Sequence, residues 1–129
     1  MKTLLLSFIF TCFSSSIYAC EKSEIAFSKN NLCAKIVWLN GPALNNYGSL
    51  AVTLSDTTEL KLNVIPWMVM GGGHEHGSRP VAITAQSSRD YLVEKIYFMG
   101  GMMGDWYLKF QLVNDKKEIV EEVRTLIEL

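Results

Sequence analysis

The sequence predicts an all-β fold: a single antiparallel, immunoglobulin-like β-sandwich. Three observations carry this expectation. The apolar residues recur mostly with period two, the spacing that sends alternate side chains to opposite faces of a strand. Seven short apolar runs are separated by turn-forming residues roughly every 8–15 positions. The chain beyond its leader, residues 20–129, is about 110 residues long, the size of one ordinary domain. No internal repeat, low-complexity segment or linker divides it.

The first element is a leader. Lys2 is followed by an apolar run from Leu4 to Phe13, then small polar residues and Ala19. A basic start, an apolar stretch too short to span a bilayer and a small residue at the cut read as a secretory signal peptide over residues 1–19. The expectation is an exported, periplasmic domain. No second long apolar run follows, so no transmembrane segment is expected in the mature chain. Of the three cysteines, Cys12 leaves with the leader, while Cys20 and Cys33 remain. An even pair in an exported domain reads as a disulfide. The competing reading is a lipid anchor on Cys20, the residue directly after the cut. That would tie the domain to a membrane and leave Cys33 as an odd thiol.

The strands follow in order. "LCAKIVWL" (Leu32–Leu39) is rich in strand formers and is broken by Gly41-Pro42, with Asn45-Asn46 and Gly48 continuing the turn. "SLAVTL" (Ser49–Leu54) is the second run. "ELKLNVI" (Glu59–Ile65) places Leu60, Leu62 and Val64 on one face and Lys61 and Asn63 on the other. A glycine-rich loop, Pro66 to Ser78, is expected next. "VAITA" (Val81–Ala85) is a short strand. "YLVEKIYF" (Tyr91–Phe98) and "DWYLKFQLV" (Asp105–Val113) are the clearest strands, the latter with Trp106, Leu108, Phe110 and Leu112 on one face. "VNDKKE" is a hairpin turn. The C-terminal "EIVEEVRTLIEL" fits both a strand face and a helix stripe, and its β-branched residues favour the strand.

Composition narrows the function. The formal net charge is −1 and no basic patch stands out, so nucleic acid is not an expected partner. No serine nucleophile elbow, lysine-bearing phosphate loop or H-E-x-x-H zinc motif is present, so the chain is not expected to be an enzyme. Arg79 and Asp90 read as surface charges.

What remains is "PWMVMGGGHEHGS", residues 66–78, with the only two histidines in the chain. His74 and His76 are two apart, so an extended backbone puts both imidazoles on one side. Met68 and Met70 have the same spacing, and "FMGGMMGDW" supplies Met99, Met102 and Met103. Neutral thioethers and imidazoles suit a soft ion, Cu(I) above all. Trp67 or Trp106 could add a cation–π face, and Glu75 could contribute a carboxylate if the ion were zinc. The bland alternative is that the methionines and tryptophans fill the core and the histidines are solvated.

"PWMVMGGGHEHGS" followed by "YFMGGMMGDWYLKFQL" resembles the small exported bacterial β-sandwich domains called YtkA-like or FixH-like. Met68, Met70 and His76-Gly77 stand for the first family motif, and Met102, Gly104 and Trp106 for the second. The likeness covers about half the chain, Leu60 to Leu112. Val69 stands where the family has proline, and the Met-to-His connection is longer here, so both His74 and His76 are candidates for the family histidine. The resemblance implies an extracytoplasmic domain associated with copper handling or cytochrome oxidase assembly.

The expected function is therefore copper binding, for capture or delivery, through Met68, Met70, His74, His76, Met102 and Met103, with Cys20 and Cys33 as the disulfide. This requires the 66–78 and 99–104 segments to share one end of the sandwich. The alternative is a non-metal envelope domain whose loops pack against a protein partner.

Overall fold

The computed structural model describes residues 19–129. The expected signal peptide over residues 1–19 lies outside the described residues apart from Ala19. Among the described residues, nine strands form two antiparallel sheets packed as a sandwich. They are β1 (Ile25–Phe27), β2 (Leu32–Asn40), β3 (Tyr47–Leu54), β4 (Lys61–Met70), β5 (Glu75–Gly77), β6 (Ala82–Ala85), β7 (Asp90–Tyr97), β8 (Gly104–Val113) and β9 (Ile119–Ile127). One sheet has the order β1-β2-β3-β7-β6 and the other β5-β4-β8-β9. With β1 and β5 set aside, this is the four-plus-three strand order of an immunoglobulin constant-type sandwich. The C-terminal segment is a strand paired along β8. No helix among the described residues is long and apolar enough to cross a membrane.

Period two explains the core. Leu50, Val52 and Leu54 from β3 face Leu62, Val64 and Met68 from β4 and Trp106, Leu108, Phe110 and Leu112 from β8, all of them buried. Along β7 and the residue after it the alternation breaks: Tyr91 and Val93 are buried, then Ile96 and Phe98. Lys95 sits between them at φ 59°, where the pairing with β3 slips by one residue. This bulge changes which parity points inward, so both halves of the run reach the core.

Cys20 and Cys33 form a disulfide with a Cα–Cα distance of 5.4 Å. It ties the segment before β1 to β2. With both sulfurs in that bond, Cys20 has no thiol for the thioether that a lipid anchor requires.

The largest departure from the sequence expectation lies in residues 66–77. β4 does not stop at Ile65 but runs on through "PWMVM" to Met70, and the chain turns back at once as β5. Pro66 breaks the pattern in sequence but not in space. The Met70 N–H donates toward β5, to the His74 carbonyl at 2.8 Å. By period two, Pro66 would direct its missing N–H to the same edge. β5 pairs only with Trp67, Met68 and Val69, so that edge is open at Pro66 and no ladder bond is lost.

Candidate metal centre

The methionine and histidine spacings interlock across this hairpin. Met68 pairs with His76 and Val69 with Glu75. His74 is extended, with φ −77° and ψ 128°, and its carbonyl accepts from Met70, so His74 stands opposite Met70. Paired residues on neighbouring antiparallel strands share a face, with Cβ atoms about 5 Å apart. "MVM" and "HEH" thus give two rungs, Met68–His76 and Met70–His74, on the core side of the sheet. The turn between them is the Gly71–Gly73 segment, where Gly72 and Gly73 have φ 79° and 85°, values that suit glycine.

The inner rung continues across the sheet. Met68 is also paired with Trp106, and Trp106 with Ile127, so His76, Met68, Trp106 and Ile127 form one row. Met68 is 1% exposed and belongs to the core. The His76 ring meets the Trp106 indole edge-on, with centroids 6.2 Å apart and planes at 89°. Phe98 backs the indole at 5.5 Å.

His76 Nδ1 lies 2.8 Å from the Gly77 carbonyl oxygen. A carbonyl only accepts, so Nδ1 carries the proton and Nε2 holds the free lone pair. Nε2 is buried and has no hydrogen-bond partner. An unpaired buried acceptor costs about 1–3 kcal/mol. This nitrogen shares its rung with a thioether and has an indole beside it.

The second methionine segment reaches the same end, because Met70 pairs with Gly104 at the start of β8. Met70 and Met102 are half-buried against the core, whereas Met103 is 87% exposed. His74 is exposed. Met102, Met99 and Trp106 help line an open cleft of about 380 Å³ between this loop and the end of β9. Met68, Met70 and His76 therefore stand on the inner side of one end, Met102 lies at the same end in the cleft beside β9, and His74 and Met103 stand at the solvent edge.

Two side chains weighed from the sequence are excluded by strand parity. Glu75 pairs with Val69 and points to the outer face, where it accepts from Arg124 Nη1 at 2.8 Å and Trp67 Nε1 at 3.2 Å. The Arg124 guanidinium, then the indole N–H, hold its carboxyl below the ordinary carboxylate range. Trp67 is likewise on the outer face, with Lys109 Nζ 3.4 Å from its ring centroid. Trp106 is the tryptophan that borders the rungs. Glu75 acts as an outer anchor for the short β5, not as a zinc ligand. Among the described residues, no group of three or more His, Cys, Asp or Glu could hold a metal ion.

Asn45 contributes in a way the sequence reading missed. Its N–H donates to the Phe98 carbonyl and its Oδ1 accepts from Gly100 N–H, both at 2.8 Å. Trp106 Nε1 donates to the Met99 carbonyl at 3.1 Å. Together they fix the backbone that presents Met99 and Met102. The only sequence signal was an Asn-Asn turn. Arg79 is exposed, as expected of a surface charge, whereas Asp90 is half-buried, and both are engaged. Arg79 lies 4.0 Å over the Tyr97 ring and donates to the Tyr47 hydroxyl, while Asp90 accepts from Thr53 and Ser87. Comparison with protein-family models, curated proteins and solved structures finds no match for the chain.

Proposed function

We propose that this domain captures or delivers Cu(I) in the cell envelope, with the ion as cargo. The observation that supports the reading is His76 Nε2: a buried, unpartnered lone pair with its tautomer set by Gly77, on the same rung as the Met68 thioether and beside the Trp106 edge. Soft, neutral donors in an apolar niche favour a soft monovalent ion over zinc or calcium, which need thiolate, carboxylate or more nitrogen. Met102 and Met103 are the further donors within this end, while Met70 and His74 stand one rung nearer the solvent. The reading agrees with the resemblance to YtkA-like and FixH-like domains, and with an exported, periplasmic location reached through the leader. It assigns no catalytic role to the chain.

Anaerobic titration of Cu(I) against a competing chelator tests it. His74→Ala/His76→Ala and Met102→Ala/Met103→Ala are each expected to weaken binding relative to wild type. Equal affinity in all three proteins refutes the reading.

A second reading rests on a different observation. Leu44, Met99, Leu126 and Leu129 are 42–52% exposed and all line the 380 Å³ cleft. An apolar rim of this kind suits a protein partner in an envelope assembly. Under that reading the chain binds a partner there and has no measurable Cu(I) affinity.

A further inference from the structure

The two rungs differ in access, and this difference separates their roles. Met68 is 1% exposed and His76 Nε2 is buried. One rung nearer the hairpin tip, Met70 is half-buried and His74 exposed. Nothing lies within 4 Å of where a Cβ would stand on Gly71 or Gly73, so the tip that carries His74 is open on its surface. A carrier can therefore touch His74 and Met70 but not Met68 or His76 Nε2.

Soft-metal cargo passes between proteins by ligand exchange, with an incoming donor binding before the outgoing one departs. The buried rung offers no room for such an exchange, and the open rung does. We infer that His74 and Met70 form a transfer pair, which takes Cu(I) from a carrier with thioether or thiol donors and passes it to the storage pair His76 and Met68. This rests on the Cu(I) reading above. The exchange is balanced without an oxidant: the ion stays Cu(I), each carrier donor is replaced by a neutral sulfur or imidazole nitrogen, and His76 Nδ1 keeps its proton on the Gly77 carbonyl.

A transfer pair lowers the barrier in both directions. Removing it slows loading and unloading equally and leaves their ratio, the affinity, nearly unchanged. The test is stopped-flow transfer of Cu(I) from its sulfonated bathocuproine complex to the disulfide-bonded protein, alongside equilibrium competition with the same chelator. The variants are His74→Ala/Met70→Leu, which keeps the half-buried volume at Met70, and His76→Ala. The transfer-pair variant is expected to exchange about tenfold more slowly in both directions with affinity within about threefold of wild type, whereas His76→Ala loses at least about tenfold in affinity. Unchanged exchange rates in His74→Ala/Met70→Leu, or a loss of affinity matching that of His76→Ala, overturn the division of roles while leaving the Cu(I) site standing. Retained affinity in His76→Ala removes the storage pair and the division of roles with it; the Cu(I) reading falls as well only if His74→Ala/His76→Ala and Met102→Ala/Met103→Ala also bind as wild type does.

Discussion

Gly104→Ala tests how tightly the inner rung is built into the fold. A Cβ at Gly104 would lie 2.6 Å from the Val69 carbonyl oxygen, 2.9 Å from Met68 Sδ and 3.1 Å from Met70 Cα. The thioether is flexible at its far end, but the carbonyl belongs to the β4–β8 ladder and cannot retreat without lengthening its pairing. Overpacking of this kind costs about 1–3 kcal/mol. For a domain of about 110 residues that corresponds to a fall in Tm of roughly 4–12 °C. Gly71→Ala is the matched control: its added methyl meets nothing within 4 Å and its backbone is not left-handed, so it is expected to be neutral or to stabilise by up to about 1 kcal/mol. Thermal unfolding followed by circular dichroism reads both variants. If Gly104→Ala melts with wild type and Gly71→Ala, then β4 and β8 are not packed at the hairpin end as described. Because the same methyl displaces Met68 Sδ, Cu(I) affinity is expected to fall in parallel.

Met68→Ala, which empties a core position, is expected to cost about 2–5 kcal/mol, whereas Met68→Leu costs less than about 1.5 kcal/mol because the volume is kept. In urea unfolding the two separate clearly, and only the leucine variant then reports the loss of sulfur from Cu(I) binding without a folding defect. Replacing Cys20 and Cys33 by serine releases a short loop and is expected to cost about 3 kcal/mol; a reductant should shift the wild-type urea midpoint by the same amount and leave the variant unmoved. Hydrogen bonds from Ser87 first, and then Thr53, lower the Asp90 pKa, so the folded protein binds fewer protons there than the unfolded chain. The stability from this group is present above the ordinary carboxylate pKa and is lost as pH falls through the lowered folded value. Asp90→Asn should flatten that acid limb in a series of melting curves, and parallel wild-type and variant curves would exclude the role.

The long alternating strands were legible in the sequence because their period is carried by side chains alone. Leu108, Phe110 and Leu112 face the core as their spacing predicts, and Val123 and Ile127 place the C-terminal segment on β8 as a strand. What was not legible depends on long-range pairing. Pro66 and three glycines marked residues 66–78 as loop, yet β4 extends to Met70 because β8 pairs with it along its whole length. β5 is Glu-His-Gly, with no strand-forming residue, and exists only through its register with β4. The shift at Lys95 is likewise set by β3, not by local preference. For the candidate site, the required shared end is met by the pairing of Met70 with Gly104, and the common face of each pair was legible from the two-residue spacing. The opposition of Met68 to His76, the outward Glu75 and Trp67, and the contribution of Asn45 were not, since each follows from which strand is the neighbour.

The most direct measurement is of the imidazole nitrogens themselves. Long-range ¹H–¹⁵N NMR of the histidine rings, before and after anaerobic addition of Cu(I), separates Nδ1 from Nε2 at His74 and His76. The expected result is a large change at His76 Nε2, with His76 Nδ1 still protonated against the Gly77 carbonyl. An unchanged His76 spectrum in the presence of excess Cu(I) contradicts the assignment of the buried rung as the site of capture.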